Sequence, residues 1–443
     1  MSLTRVVYYN LKLKRNLNKS RSKIKKTREG KLKKLLYYVY ENSSFYRQLY
    51  KSRGIRKRDL SDIKIEQLPV INKEMVMNNF DDIVTDDNIS REIVEDFLEK
   101  AKKPTSLLQN KYRVIHTSGS TGEVGYFLYN KKEWDYIKAV ALRIFDNFSL
   151  KPKRYAFIGA SEGNYAGISL FLSPVDQIEE LFYQDYLVIN INHSLRKYYN
   201  RLTGLDPHNL TGYPSAVKIL AELQREGKID ISPDTIVCGG EPFSEMEKRY
   251  ITNTWGIKPV NYYATSESLM IGVQRPEDRG IYIFDDINYI EMQENRTLLT
   301  NLYNYTQPLI RYELSDVLTP AEKRSDRWPF TQVKEVIGRS EEMLWFEKEN
   351  GEREFIHPIV LVEFFVKGVK KFKVIQTGKK SLKFKAVINN QAEDEKTKNK
   401  IYNKLKRIFK EKNLSHVKIN IDLVNNITRE KSGKYRLIET IEW

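Results

Sequence analysis

Apolar positions recur at three- and four-residue spacing over residues 31–52, 131–147 and 215–226, the period of helices that bury one face. Between these stretches lie short apolar runs of a different kind. Tyr155-Ala156-Phe157-Ile158-Gly159, Leu187-Val188-Ile189-Asn190 and Ile236-Val237-Cys238 are too short for helices and read as strands. Strands alternating with helices predict a layered α/β body. After Gly338 the pattern restarts on a smaller scale. Residues 372–376, 382–388 and 417–421 alternate as half-buried strands do, and Ile401, Leu405, Ile408 and Phe409 share one face of a helix between them. The expected fold is α/β: a large multi-layered N-terminal body over residues 31–337 and a small α+β C-terminal domain over 338–443. Residues 1–30 precede them as a basic leader. No internal repeat is visible.

Composition changes this picture little. At 40% hydrophobic and 12% aromatic, a chain of 443 residues can bury large cores. One cysteine excludes a disulfide framework and any cysteine-rich metal site. Cys238, inside an apolar run, reads as a packed thiol. No apolar run reaches the roughly 18 residues of a membrane-spanning helix. Nor does an N-terminal apolar segment end in a small-residue cleavage site, so the expected location is cytoplasmic.

Charge changes it more, through placement. The formal charge is +17, and residues 1–34 hold thirteen Lys or Arg against one Glu. Leu3, Val6, Val7, Leu11, Leu13 and Leu17 run beside that charge as an imperfect apolar stripe. Two readings stand. The leader is a solvated, partly disordered run into the first helix, or it makes a peripheral contact with anionic membrane at the inner face. Nucleic acid is not expected as a partner, because no basic domain or nucleic-acid-reading motif follows.

The candidate chemistry begins at Thr117-Ser118-Gly119-Ser120-Thr121-Gly122-Glu123-Val124-Gly125, directly after the β-prone run Tyr112–Ile115. Glycines permit close backbone approach, and hydroxyls add to bare N–H groups, so such a loop can wrap a phosphate. It lacks the glycine spacing and Lys-Ser/Thr ending of a Walker A loop. Further motifs follow in order: Gly239-Gly240-Glu241-Pro242, Tyr263-Ala264-Thr265-Ser266-Glu267, Arg311-Tyr312-Glu313-Leu314-Ser315-Asp316, Gly338-Arg339-Ser340-Glu341-Glu342 and Ser432-Gly433-Lys434. Together they resemble the signatures of the adenylate-forming superfamily of acyl-CoA synthetases, peptide-synthetase adenylation domains and luciferases. Leu35–Asn42, Ser44–Arg47 and Leu68-Pro69-Val70-Ile71-Asn72-Lys73 are similar to the phenylacetate–CoA ligase-like branch. Thr211–Ala216 most resembles its capsular-polysaccharide-biosynthesis subgroup.

The resemblance implies ATP, Mg²⁺ and CoA as cofactors and co-substrate, and a carboxylic acid as substrate. It implies that Thr117, Ser118, Gly119, Ser120, Thr121 and Gly122 bind phosphates and that Gly239, Gly240, Glu241 and Pro242 line the adenine. Tyr263 would present its ring to the base, Asp316 would accept from the ribose hydroxyls, and Arg339 would reach ribose or phosphate. Glu267 would hold the metal, Ser266 would donate to the α-phosphate, and Lys434 would join the carboxylate to it. Arg339 and Glu341 would form the hinge. Gly159, Ala160, Tyr165, Tyr213, Ala264 and Leu269 are the candidate acyl pocket. Glu162 beside them either selects a cationic or hydroxylated acid or faces water.

Ala264 and Ser315 stand where the superfamily usually has Gly, Val124 and Thr428 where Pro is common, and Glu341 replaces the hinge Asp. None of these removes a charge that the chemistry needs. The five His residues form no metal-spaced pair, and His116 adjoins the phosphate loop. The expected activity is acyl-adenylate formation followed by transfer to CoA. Transfer to an amine or hydroxyl of a polysaccharide or lipid precursor is the alternative. A non-catalytic nucleotide-binding scaffold is the alternative from another class.

Overall fold

The structure, a computed structural model, describes residues 2–101, 103–117, 124–144, 153–173, 183–293, 296–322, 327–337, 344–362, 364, 366–389, 393–427 and 437–440. The expected α/β body and small α+β domain are both present. Thr117 and Gly125 bracket a hairpin of β1 (Tyr112–His116) and β2 (Tyr126–Asn130), and the candidate phosphate loop is its tip. Seven more strands build most of the main sheet: β3 (Lys153–Gly159), β4 (Tyr183–Asn190), β5 (Asn209–Gly212), β6 (Thr235–Gly239), β7 (Val260–Tyr263), β8 (Gly272–Gln274) and β9 (Ile281–Ile283). Its order is β4-β3-β5-β6-β7-β8-β9, continued by Thr331–Ile337 and Val317–Pro320. Pairing is parallel from β4 to β7 and antiparallel beyond. The parallel strands are connected through helices, among them Pro214–Arg225, whose inward face carries Val217, Leu220 and Ala221.

Two apolar cores result. One joins the N-terminal helices, β1, β2 and residues 263–333; the other joins residues 156–251 to the small domain. In that domain, Val369–Gly378 and Ser381–Ile388 pair antiparallel. Lys418–Leu423 and Ile438–Glu439 add in parallel at the two edges, and the helix Asp394–Glu411 covers the sheet with Ile401, Leu405, Ile408 and Phe409 buried.

The basic leader is folded. Helix α1 (Leu3–Leu17) lies on the helix Lys131–Ile144 with Val6, Leu13 and Asn16 buried. Arg5 pairs with Asp135 at 3.3 Å, and Asn10 donates to the Ala139 carbonyl at 3.0 Å. Helix α2 (Arg21–Asn42) passes without a break through residue 30. The turn Asp285-Asp286 ties both helices down. Arg28 pairs with Asp285 at 3.3 Å, while Asn16 and Arg143 both donate to Asp286 Oδ2 at 2.7 Å. Lys31 donates to the Asp286 carbonyl at 2.7 Å, and burial lowers its ammonium to about 8. The helix expected over 31–52 is two helices. Ser43 leaves helical geometry and accepts from Tyr46 N, capping α3 (Ser44–Ser52).

Candidate active site

Strand order reverses at β3, with β4 on one side and β5 on the other, so a crevice opens at the carboxyl ends of these strands. The residues that follow four neighbouring parallel strands meet there: Gly159-Ala160 at β3, Tyr213 after β5, Gly239–Pro242 at β6 and Tyr263-Ala264 at β7. Tyr213 is wedged between two glycines. A Cβ on Gly159 would stand 2.8 Å from its ring, and one on Gly240 would stand 3.0 Å away, where φ is also +85°. Its ring therefore joins the candidate acyl wall to the adenine loop. Tyr165 packs on His116 with ring centroids 4.6 Å apart, and His116 N donates to the Asn164 carbonyl at 3.2 Å. That contact joins the same wall to the strand feeding the phosphate loop. Leu269, by contrast, is wholly buried within the first core.

A cleft of about 1420 Å³ runs along the adenine loop and is lined by Gly240, Glu241, Pro242, Tyr263, Ala264 and Asp316. Tyr263 has a second job here beside its ring. Its hydroxyl donates to Asp316 Oδ2 at 2.9 Å, and burial with that carboxylate keeps its pKa well above 10. That hydrogen bond orients the Asp316 carboxylate along the cleft.

The phosphate loop is closed at its base. Thr117 N donates to Gly125 O at 2.8 Å, and Gly125 N donates to Thr117 Oγ1 at 2.9 Å. Lys73 Nζ also donates to Thr117 Oγ1, at 2.8 Å. Lys73 crosses close over Gly125, where a Cβ would stand 2.8 Å from Lys73 Cε. Sequence reasoning used Lys73 only as a family likeness, because a lone lysine at a helix start carries no spacing signal. Ser118, Gly119, Ser120, Thr121 and Gly122 lie outside the described residues, as do Arg339, Glu341, Thr428 and Lys434.

The segment after β7 is held from two sides. Tyr129 donates to the Ser266 carbonyl at 2.7 Å, and Asn301 donates to the Glu267 carbonyl at 3.0 Å. Tyr312 donates to Glu267 Oε1 at 3.1 Å, which orients that carboxylate and gives the motif tyrosine a function. Thr265 Oγ1 is buried without a partner among the described residues, an open hydrogen-bonding position inside the motif. No group of three His, Cys, Asp or Glu able to hold a metal occurs among the described residues. Arg311 is structural: at φ +52° it pairs with Glu291 at 2.8 Å and donates to the Glu66 carbonyl at 3.0 Å.

The small domain reaches this site. His357 Nε2 lies 2.8 Å from Ser215 Oγ and 3.5 Å from Glu241 Oε1, and its ring stacks on Tyr213 at 6.3 Å. Ser215 Oγ donates to Glu241 Oε2 at 2.5 Å. Burial raises Glu241 to about 7 and lowers His357 to about 3, so the imidazole is neutral. The serine and the acid face the same ring nitrogen, which is not the geometry of a nucleophile–base–acid relay. Glu162 is exposed, pairs with Arg407 of the small domain and accepts from Asn190 at 3.3 Å. Nothing in the spacing of the chain signalled this, because both partners are distant in sequence.

Comparison with known proteins agrees with this geometry. Residues 349–440 match the family described as the CapK C-terminal domain. Protein CapK of Staphylococcus aureus is 23% identical over 419 residues, covering 90% of this chain and 85% of that protein. Phenylacetate-coenzyme A ligase of Thermus thermophilus is 23% identical over 350 residues, covering 73% and 72%. Among solved structures, 2-hydroxyisobutyryl-CoA ligase with 2-HIB-AMP and CoA in its thioesterification state gives a TM-score of 0.61 at 17% identity, over 96% of this chain and 91% of that one. The same ligase in a postadenylation state gives 0.60. The chain thus shares its fold with 2-hydroxyisobutyryl-CoA ligase and is similar in sequence to CapK and to phenylacetate-coenzyme A ligase.

Proposed function

We propose that the chain activates a carboxylic acid with ATP, releasing pyrophosphate and forming an acyl-adenylate, and then transfers the acyl group, by default to the thiol of CoA. The observation that carries this reading is the Tyr263–Asp316 hydrogen bond in the lining of a cleft that Gly240, Glu241 and Pro242 also line. A carboxylate held there suits a pair of ribose hydroxyls. The relatives support it: the T. thermophilus protein is named a ligase of phenylacetate and coenzyme A, and the 2-hydroxyisobutyryl enzyme is seen with acyl-AMP and CoA.

In this reading the substrate carboxylate attacks the α-phosphorus and pyrophosphate leaves, so the protein must supply donors and cations around the phosphates. The loop 117–122 donates to the β- and γ-phosphates, with the Lys73 ammonium at its base. Ser266 donates to the α-phosphate, Tyr263 covers the adenine, and Arg339 reaches ribose or phosphate. Glu267 holds Mg²⁺, which neutralises phosphate charge. Lys434 holds the two reacting anions together. Rotation at Arg339 and Glu341 then removes Lys434 and admits the acceptor.

The match of residues 349–440 to the CapK C-terminal domain favours a second acceptor. It is an amine or hydroxyl on a polysaccharide or lipid precursor of the cell surface. Pyrophosphate exchange into ATP across a panel of carboxylic acids tests the first step, and product analysis with CoA or a sugar amine tests the second. Tight ATP binding with no exchange for any acid would leave only a nucleotide-binding scaffold.

A further inference from the structure

Helix α1 carries two faces that are both apolar. Val6 and Leu13 turn inward and are 0% and 2% exposed. Val7, Tyr8 and Leu11 turn outward and are 41%, 61% and 56% exposed. These three are adjacent on the helix surface, since residues three and four apart lie side by side. Lys12 and Arg15 continue the same outward face and Lys19 follows in the bend after the helix, all exposed. Helix α2 continues the charge with exposed Lys23, Lys25 and Lys26, against a single acid, Glu29, in residues 1–34. A solvated helix has no use for three clustered apolar side chains at its outer surface.

Both helices are fixed to the body. Asn16, Arg28 and Lys31 are engaged by Asp285 and Asp286, and Arg5 by Asp135, so these inward groups do not take part in the outer face. What remains outside is a preformed basic surface with an apolar ridge, which loses little conformational entropy on docking. No helix among the described residues is long and apolar enough to cross a membrane.

We propose that the outward face of α1, with the lysines at the start of α2, is a docking surface for an anionic lipid bilayer. Val7, Tyr8 and Leu11 enter the boundary between headgroups and acyl chains, and the Lys and Arg side chains meet the phosphates of the headgroups. The charge selects an anionic partner. The apolar ridge selects a bilayer over a soluble polyanion, which offers nothing for it to enter. The surface stands apart from the nucleotide cleft, so the proposal is independent of the ligase reading.

The test is sedimentation of the full-length protein with vesicles of phosphatidylcholine alone and with phosphatidylglycerol added. Two variants accompany it: V7N/Y8S/L11Q, and K12E/R15E/K19E. Wild type should partition onto anionic vesicles and not onto neutral ones. The charge variant should lose roughly 10²-fold or more in partition, from about a fivefold gain for each of three cations near such a surface. The apolar variant should lose about tenfold or more on vesicles while binding soluble heparin as wild type does. Equal binding to both vesicle types, or an apolar variant that partitions as wild type, overturns the proposal. Heparin binding without vesicle binding also overturns it. Pyrophosphate exchange should be unchanged in both variants, which separates this result from any failure of the proposed chemistry.

Discussion

Glu241 lies between Ser215 and His357, and burial holds its carboxyl at about 7 against an ordinary 4.5. A group whose pKa is raised by folding binds its proton more tightly in the folded chain. The folded state is therefore favoured while Glu241 is protonated, and that advantage is lost as pH rises from 4.5 to about 7. At about 1.4 kcal/mol per tenfold, the whole span amounts to roughly 3 kcal/mol. The side chain keeps 18% of its surface exposed. Water there screens the effect, leaving about 1–2 kcal/mol.

Glu241→Gln keeps the shape and an oxygen for Ser215 but carries no charge. Urea unfolding followed by intrinsic fluorescence at pH 5, 6, 7 and 8 should show the variant gaining on wild type with rising pH. The difference should grow by about 1–2 kcal/mol over that range and level off above pH 7. His357, lowered from 6.5 to about 3 on folding, makes both proteins more stable as pH rises toward 6.5, a slope that cancels in the difference between them. If the two stability curves run parallel from pH 5 to 8, the carboxyl is not buried as described. Pyrophosphate exchange should persist in the variant, because the loop meets adenine through its backbone in the proposed reading.

Tyr263→Phe should raise the KM for ATP by about 10-fold or more with a smaller effect on kcat, the loss of one hydrogen bond to a charged group being about 1.5–3 kcal/mol. An unchanged KM in a steady-state exchange assay would remove Asp316 from the ribose. Lys434→Ala should slow adenylate formation by about 10²–10³-fold and leave transfer from a supplied acyl-adenylate nearly intact. Equal slowing of both steps in single-turnover assays would refute the moving-domain role. Cysteines at Glu99 and Lys400, which pair across the two domains, can be joined by a cleavable bis-maleimide, since the chain's one natural cysteine is buried. The joined protein should keep one half-reaction and lose the other until the linker is cut; retention of both would show that no large rotation is needed.

Local periodicity made the parallel half of the sheet legible. Ala156–Gly159 of β3 and Ile236–Gly239 of β6 are apolar runs buried on both faces, edge strand β4 buries Leu187 and Ile189 on one, and the helices Lys131–Ile144 and Pro214–Arg225 repeat apolar residues at helical spacing. The leader was harder. Its inward cations are satisfied by Asp135, Asp285 and Asp286, more than 100 residues away, so charge density alone reads as solvated chain. Motif order brought Gly239–Pro242, Tyr263 and Asp316 to one cleft because each terminates or follows a strand whose place in the sheet is fixed. Lys73, Ser215 and His357 were not legible as site residues. Each acts through a partner that folding supplies: Thr117, Glu241, and again Ser215.

The two cores give the site its position and the small domain its means of control. Tyr263 and Tyr312 belong to the first core, while Tyr213, Cys238 and the small domain belong to the second. The cleft thus lies where the two cores meet, between β6 and β7. The described polar ties from small domain to body are mostly exposed pairs: Lys367–Asp96, Lys400–Glu99, Arg407–Glu162 and Lys197–Glu411. Such pairs contribute about 0–1 kcal/mol each, and the buried His357–Ser215 contact about 1 kcal/mol. One of these ties, His357, ends on Ser215 and Glu241 in the segments after β5 and β6, and the apolar core that joins residues 156–251 to the small domain adds to all of them.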